Sequence, residues 1–163
     1  MAGAPTETPR RIDLRLAATR EGFATGFDEL RRGLDTLSLD ALARFSVELI
    51  FEEVVANLVR HGARSDGRTL LSLEVVLRDD AVELTFVDDG VPFDPRERPG
   101  PDPAPARDLE HAEVGGRGLM LIRSVSKELQ YARTPEGQNR LTVAVSRDAT
   151  PGPGMSDGAR SGV

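Results

Sequence analysis

The chain has no cysteine and no tryptophan, and only one tyrosine and two histidines among its 163 residues. Without cysteine there is no disulfide scaffold, no thiol nucleophile and no thiolate zinc site. His61 and His111 are too few for a histidine-rich metal centre. With one Tyr and six Phe, stacking platforms for single-stranded nucleic acid are not expected. A formal net charge of −6 argues against a nonspecific binder of nucleic acid or of membrane surfaces. There is no long apolar run and no secretory signal, so a cytoplasmic location is expected.

What is present suffices for one domain with its own hydrophobic core. Pro5 and Pro9 stand among small polar residues in 1–9, and 148–163 is rich in Pro, Gly and Ser. Both ends are expected to be disordered tails, which leaves 10–147 as the domain. Within it Ile12, Leu14 and Leu16 alternate with Asp13 and Arg15 as in a half-buried strand. A helix follows from near Thr19 to Leu34. Ser38 reads as the N-cap of a second helix, from about Leu39 to His61, with Gly62 as its stop.

Leu71, Leu73, Val75 and Leu77 then alternate as a strand, and Asp79-Asp80 turns into another with Val82, Leu84 and Phe86 on one face. The period of two carries Asp88 onto that face. From Asp89 to Val114 no periodic pattern appears and six prolines crowd 92–105, so about 93–115 reads as a mobile lid. Gly116 to about Lys127 predicts a third helix. Glu128–Arg133 and Arg140–Arg147 predict two closing strands, the last with Leu141, Val143 and Val145 inward. Strands in runs, with three helices and no regular βαβ alternation, predict an α+β fold: a two-layer sandwich with the helices on one face of a mostly antiparallel, mixed sheet.

Three places carry chemistry. On the second helix Glu53 and Asn57 lie roughly 40° apart at about 100° per residue, as a polar stripe on a segment otherwise filled by Ile50, Phe51, Val54, Val55, Leu58 and Val59. Such a stripe either faces solvent or holds a ligand, because unpaired polar groups on a buried helix are costly. Asp88-Asp89-Gly90 is either a plain turn or a buried carboxylate awaiting a donor, such as the exocyclic amino group of a base, beside a glycine that permits close approach. Gly115-Gly116-Arg117-Gly118 is either a hinge or a set of free backbone N–H groups at a helix N-terminus, where phosphate would fit. Neither the Walker A spacing nor a complete dinucleotide fingerprint is present.

In this order and spacing, Glu53-x-x-x-Asn57, Asp88-x-Gly90 and Gly116-x-Gly118-Leu119 resemble the GHKL ATP-binding superfamily, and in particular its small branch of anti-sigma factor serine/threonine kinases. The resemblance spans about 10–147 and implies the Bergerat-type ATP-binding fold. It implies ATP and Mg²⁺ as cofactors, Asn57 as the magnesium ligand, Asp88 as the receiver of the adenine amino group and Gly90 as a shaper of the base pocket. Gly116 and Gly118 would cradle phosphates, Arg117 would reach phosphate or point to solvent, and Glu53 would be the general base. The pattern departs from the family at Pro92, Lys127 and Leu141. Glu52 receives no role, and His61 reads as a histidine at a helix C-terminus.

The implied function is that of an ATP- and Mg²⁺-dependent protein serine kinase acting as an anti-sigma regulatory factor. It would phosphorylate a STAS-type anti-sigma antagonist and switch between that partner and a sigma factor, with a homodimer expected and no direct contact to nucleic acid or membrane. A non-catalytic nucleotide-binding module that sequesters a partner, or a simple ATPase of the same fold, are the alternatives.

Overall fold

The computed structural model describes residues 11–92, 94 and 115–148, with backbone only at 115–117. The expected tail at 1–9, nearly all of 148–163, the body of the expected lid, His111 and the Arg117 side chain lie outside the described residues.

Strand β1 (Arg11–Ala17) buries Ile12, Leu14 and Leu16 and exposes the polar residues between them. Thr19 caps helix α1 (Arg20–Leu34): its Oγ1 accepts from Gly22 N–H at 3.0 Å. Helix α2 (Ala41–Asn57) starts later than the sequence suggested, because Asp40 and not Ser38 is the cap, with Oδ1 accepting from Ala43 N–H at 2.6 Å. Its last turn also differs. Leu58–Gly62 is a π turn, wider than the α-helix expected through His61.

Strands β2 (Leu70–Leu77) and β3 (Ala81–Asp88) form the expected hairpin. Helix α3 runs Gly115–Val125, so the last residue of the expected lid belongs to the helix, and β4 (Ser126–Arg133) follows without a break. A turn closed by Thr134 N–H to Gln138 O (2.8 Å) leads into β5 (Asn139–Ser146).

The sheet order is β1-β2-β3-β5-β4 and every pairing is antiparallel, so the mixed character expected of the sheet is absent among the described residues. The α+β two-layer architecture itself is as expected. β5 lies between β3 and β4, so the chain must cross over it, and α3 ends that crossover beside α2.

The core lies between helices and sheet. Leu14, Leu73, Phe86, Leu141 and Tyr131 form one row across all five strands by register. Phe51 of α2 is fully buried, with its ring 5.9 Å from Phe23 and 5.8 Å from Phe27 of α1. This apolar seat holds α2 across the sheet and fixes where its polar stripe can point. At its other end Arg44 joins α2 to the C-cap of α1 through Asp35 (2.6 Å), while Glu48, one turn further along α2, holds the same guanidinium at 3.0 Å.

Candidate functional site

The next inner-face row of the sheet reads Leu16, Leu71, Asp88, Asn139 and Arg133. Two apolar residues are followed by three polar ones, so the sheet presents a polar corner exactly where α2 ends. Above that corner is a pocket that is partly open to solvent. Asn57, His61 and Gly62 line it from the helix end, Phe86 and Asp88 from β3, and Leu119 and Ile122 from α3. Tyr131, Asn139 and Leu141 complete it from β4 and β5. The walls are apolar with a few polar groups among them, the usual make-up of a small-molecule site.

Two of the expected residues, Asn57 and Asp88, therefore meet in one cavity. Glu53 and Gly118 meet elsewhere, at the seam between α2 and α3. A methyl group at position 118 would overlap the Glu53 carboxylate and lie 2.9 Å from its carboxyl carbon. Gly116 and Arg117 fall in the first turn of α3, whose leading N–H groups have no intrahelical acceptor. Gly90 does not line the cavity. It is buried behind Asp88, where a side chain would collide with the Gly62 carbonyl and stand 2.7 Å from Asp88 Oδ1. Close backbone packing requires this glycine, and its φ is not positive.

The two aspartates of Asp88-Asp89-Gly90 have separate duties. Asp89 Oδ1 accepts from Leu70 N–H at 2.8 Å and holds the start of β2, which is the turn reading of the motif. Asp88 faces the cavity. Its Oδ1 accepts from Gly90 N–H and from Asn139 Nδ2, both at 2.9 Å. Burial pushes the Asp88 carboxyl above the usual range, opposed by these two hydrogen bonds and by Arg133, while the neighbouring Asp89 charge adds to the rise.

Sequence reasoning missed Asn139 and Tyr131. The signal for Asn139 was available, because the alternation Leu141, Val143, Val145 extended back by two residues reaches it. Its pairing with Asp88 was not available, since register across β3 and β5 depends on the crossover. His61, read as a histidine at a helix C-terminus, stands in the π turn, exposed and also lining the cavity. Glu52 is exposed.

A resident metal needs oxygen donors here. Among the described residues no group of three or more His, Asp and Glu could hold one alone. Asn57 offers a single amide oxygen in the cavity wall, which fits an ion that keeps its waters and takes its remaining ligands from phosphate.

Residues 9–145 match the histidine kinase-like ATPase domain. The chain belongs to that family. Within the family it is 32% identical over 103 residues to the serine/threonine-protein kinase BtrW of Bordetella bronchiseptica, a match covering 63% of this chain and 70% of that one. Its fold is similar to the solved structure of the RsbU and RsbW domains of Rv1364c from Mycobacterium tuberculosis, with a TM-score of 0.56 and 19% identity. That match covers 85% of this chain, which spans 33% of the solved one. The resemblance to the GHKL superfamily thus holds, and the chain is a GHKL-type ATP-binding domain of the ATPase and kinase class. None of its described helices is long and apolar enough to cross a membrane.

Proposed function

We propose that the chain is an ATP- and Mg²⁺-dependent protein serine kinase that acts as an anti-sigma regulatory factor. Its protein substrate would be a STAS-type anti-sigma antagonist, and a sigma factor its alternative partner. The observation that carries the reading is spatial: Glu53 lies against Gly118 at the α2–α3 seam, one helical turn from Asn57 in the wall of a pocket that also holds Asp88. A base end, a metal-ligand position and a carboxylate base follow one another in the order that a nucleotide triphosphate and an acceptor hydroxyl require.

In this reading Asp88 accepts the adenine amino group, and the N–H groups opening α3, including those of Gly116 and Gly118, hold phosphate. Arg117 stands at the same helix start. Bound Mg²⁺, with Asn57 as its protein ligand, would neutralise phosphate charge. Glu53 takes the proton from the acceptor serine as its Oγ forms a bond to the γ-phosphorus and the bond to ADP breaks. Two further supports are the kinase name borne by the relative from Bordetella and the similarity to an RsbW-containing structure.

The test is transfer of radiolabelled γ-phosphate from ATP to a panel of purified STAS-domain proteins. Label on a serine of at least one of them is the expected result. ATP binding with no labelled partner across a broad panel would instead assign the chain as a nucleotide-binding sequestration module, and phosphate release without any partner would assign it as a simple ATPase.

A further inference from the structure

Asn139 is 5% exposed, and all of its hydrogen-bonding capacity is directed. Its Oδ1 accepts from Tyr131 Oη–H at 2.7 Å and from the Arg133 guanidinium at 2.8 Å. Because the guanidinium can only donate, the amide cannot turn over without setting donor against donor. Nδ2 is thereby pointed the other way. It donates to Asp88 Oδ1 and to Val91 O, both at 2.9 Å. Gly90 N–H donates to the same Asp88 oxygen, so two donors, one from the loop after β3 and one from β5, grip Oδ1. Asp88 itself lines the cavity, and its second oxygen is the one left to meet a ligand.

We propose that Asn139 is the positioning residue that gives the pocket its preference for a purine with an exocyclic amino group over one with a carbonyl at that place. The inference rests on the nucleotide reading above. Asn139 acts through Asp88: it sets the carboxylate plane, and by donating to Oδ1 it favours the ionised form, in which the free oxygen only accepts. An amino group satisfies that oxygen and a carbonyl repels it. Were the carboxyl to take up a proton, its hydroxyl would serve a carbonyl instead, and discrimination would fall. Burial drives Asp88 toward that protonated state, so the donors on Oδ1 are what hold selectivity. The other ionisable groups around it are Asp89 beside it on the chain, Arg133 and Tyr131 from β4, and His61 across the cavity.

The experiment compares ATP with its 6-keto isostere ITP, by calorimetric binding to the wild-type chain, Asn139→Leu and Tyr131→Phe at several pH values. Wild type is expected to favour ATP. Asn139→Leu should lose at least tenfold of that preference at neutral pH and regain part of it as pH rises, its binding midpoint lying above that of wild type. Tyr131→Phe, which keeps the edge strand and removes one of the two donors to Asn139 Oδ1, should show a smaller loss of the same sign. A merely structural role would weaken both nucleotides alike and leave the midpoint where it was. No binding of either nucleotide by the wild-type chain would overturn the nucleotide reading together with this one, and equal binding of both would overturn the contact between Asp88 and the amino group and with it this inference. An ATP preference and midpoint unchanged in both variants would overturn the role of Asn139 alone.

Discussion

Gly118 of α3 occupies the space that any side chain would need to share with the carboxylate of Glu53 on α2. The overlap is with the flexible end of Glu53, so a larger residue at 118 displaces the carboxylate before it disturbs either helix. Gly118→Ala should therefore keep its melting temperature and its affinity for ATP. Phosphoryl transfer should fall about a hundredfold, the scale of a 1 Å misplacement of a reacting group. Steady-state rates against ATP affinity measure the split.

Glu53→Ala should retain ATP binding and lose transfer by about 10²–10⁴-fold, the contribution of a positioned general base. If displacement of Glu53 is what Gly118→Ala does, the double variant loses little more than Glu53→Ala alone. Full transfer by Glu53→Ala would remove this residue from the role of base.

Asp88→Asn separates function from stability. The asparagine keeps an acceptor for Gly90 N–H and Asn139 Nδ2 but offers no carboxylate to a ligand, so ATP should bind at least tenfold more weakly, about 1.4 kcal/mol. The folded-state carboxyl is shifted upward by burial. A raised pKa means that the fold favours the protonated acid, a contribution present below the ordinary carboxylate range and lost as pH rises through the folded value. The ligand-free variant should accordingly gain in melting temperature relative to wild type on going from acid to neutral pH. Paired melts across that range test the sign.

Asn57→Ala should bind nucleotide in a manner nearly insensitive to Mg²⁺. Wild type is expected to bind ATP about tenfold or more tightly with the ion than with chelator, a difference of about 1.4 kcal/mol. Calorimetry with and without chelator distinguishes this from general damage, which would lower both affinities.

Phe51→Ala probes the seat of α2. Removing a fully buried ring that touches Phe23 and Phe27 should cost about 3–5 kcal/mol. Thermal melting should drop by roughly 10 °C or more for a domain of this size.

Local pattern carried much of the architecture. The alternation in 71–77, 82–88 and 141–145 reads directly as inward and outward faces, and the apolar wrap of Ile50, Phe51, Val54 and Val55 marks a buried helix. These signals are intrinsic to periodicity, so they survive without tertiary context. Asp40 displaced Ser38 as cap because both side chains can accept from a helix N–H, and only the path of the chain chooses between them. The π turn at Leu58–Gly62 leaves no mark in side-chain spacing, since it is a shift of backbone hydrogen bonds. Asp88 and Asn139 face each other only because β5 inserts between β3 and β4, and that insertion is a property of the crossover. The contact of Glu53 with Gly118 likewise joins two helices 65 positions apart in sequence, beyond the reach of any window.

The π turn after α2 and the loop after β3 are joined directly through the backbone, with Val91 N–H bonded to Gly62 O at 2.9 Å and Gly90 packed on the same carbonyl. Asn57 and Asp88 stand on the two sides of that joint. Their spacing is consequently settled during folding, and a ligand that reaches both does not lose entropy to bring them together. Two weak fragments, one for each end, should then gain nearly the full advantage of being linked, because the protein has already fixed the distance that the linker must span.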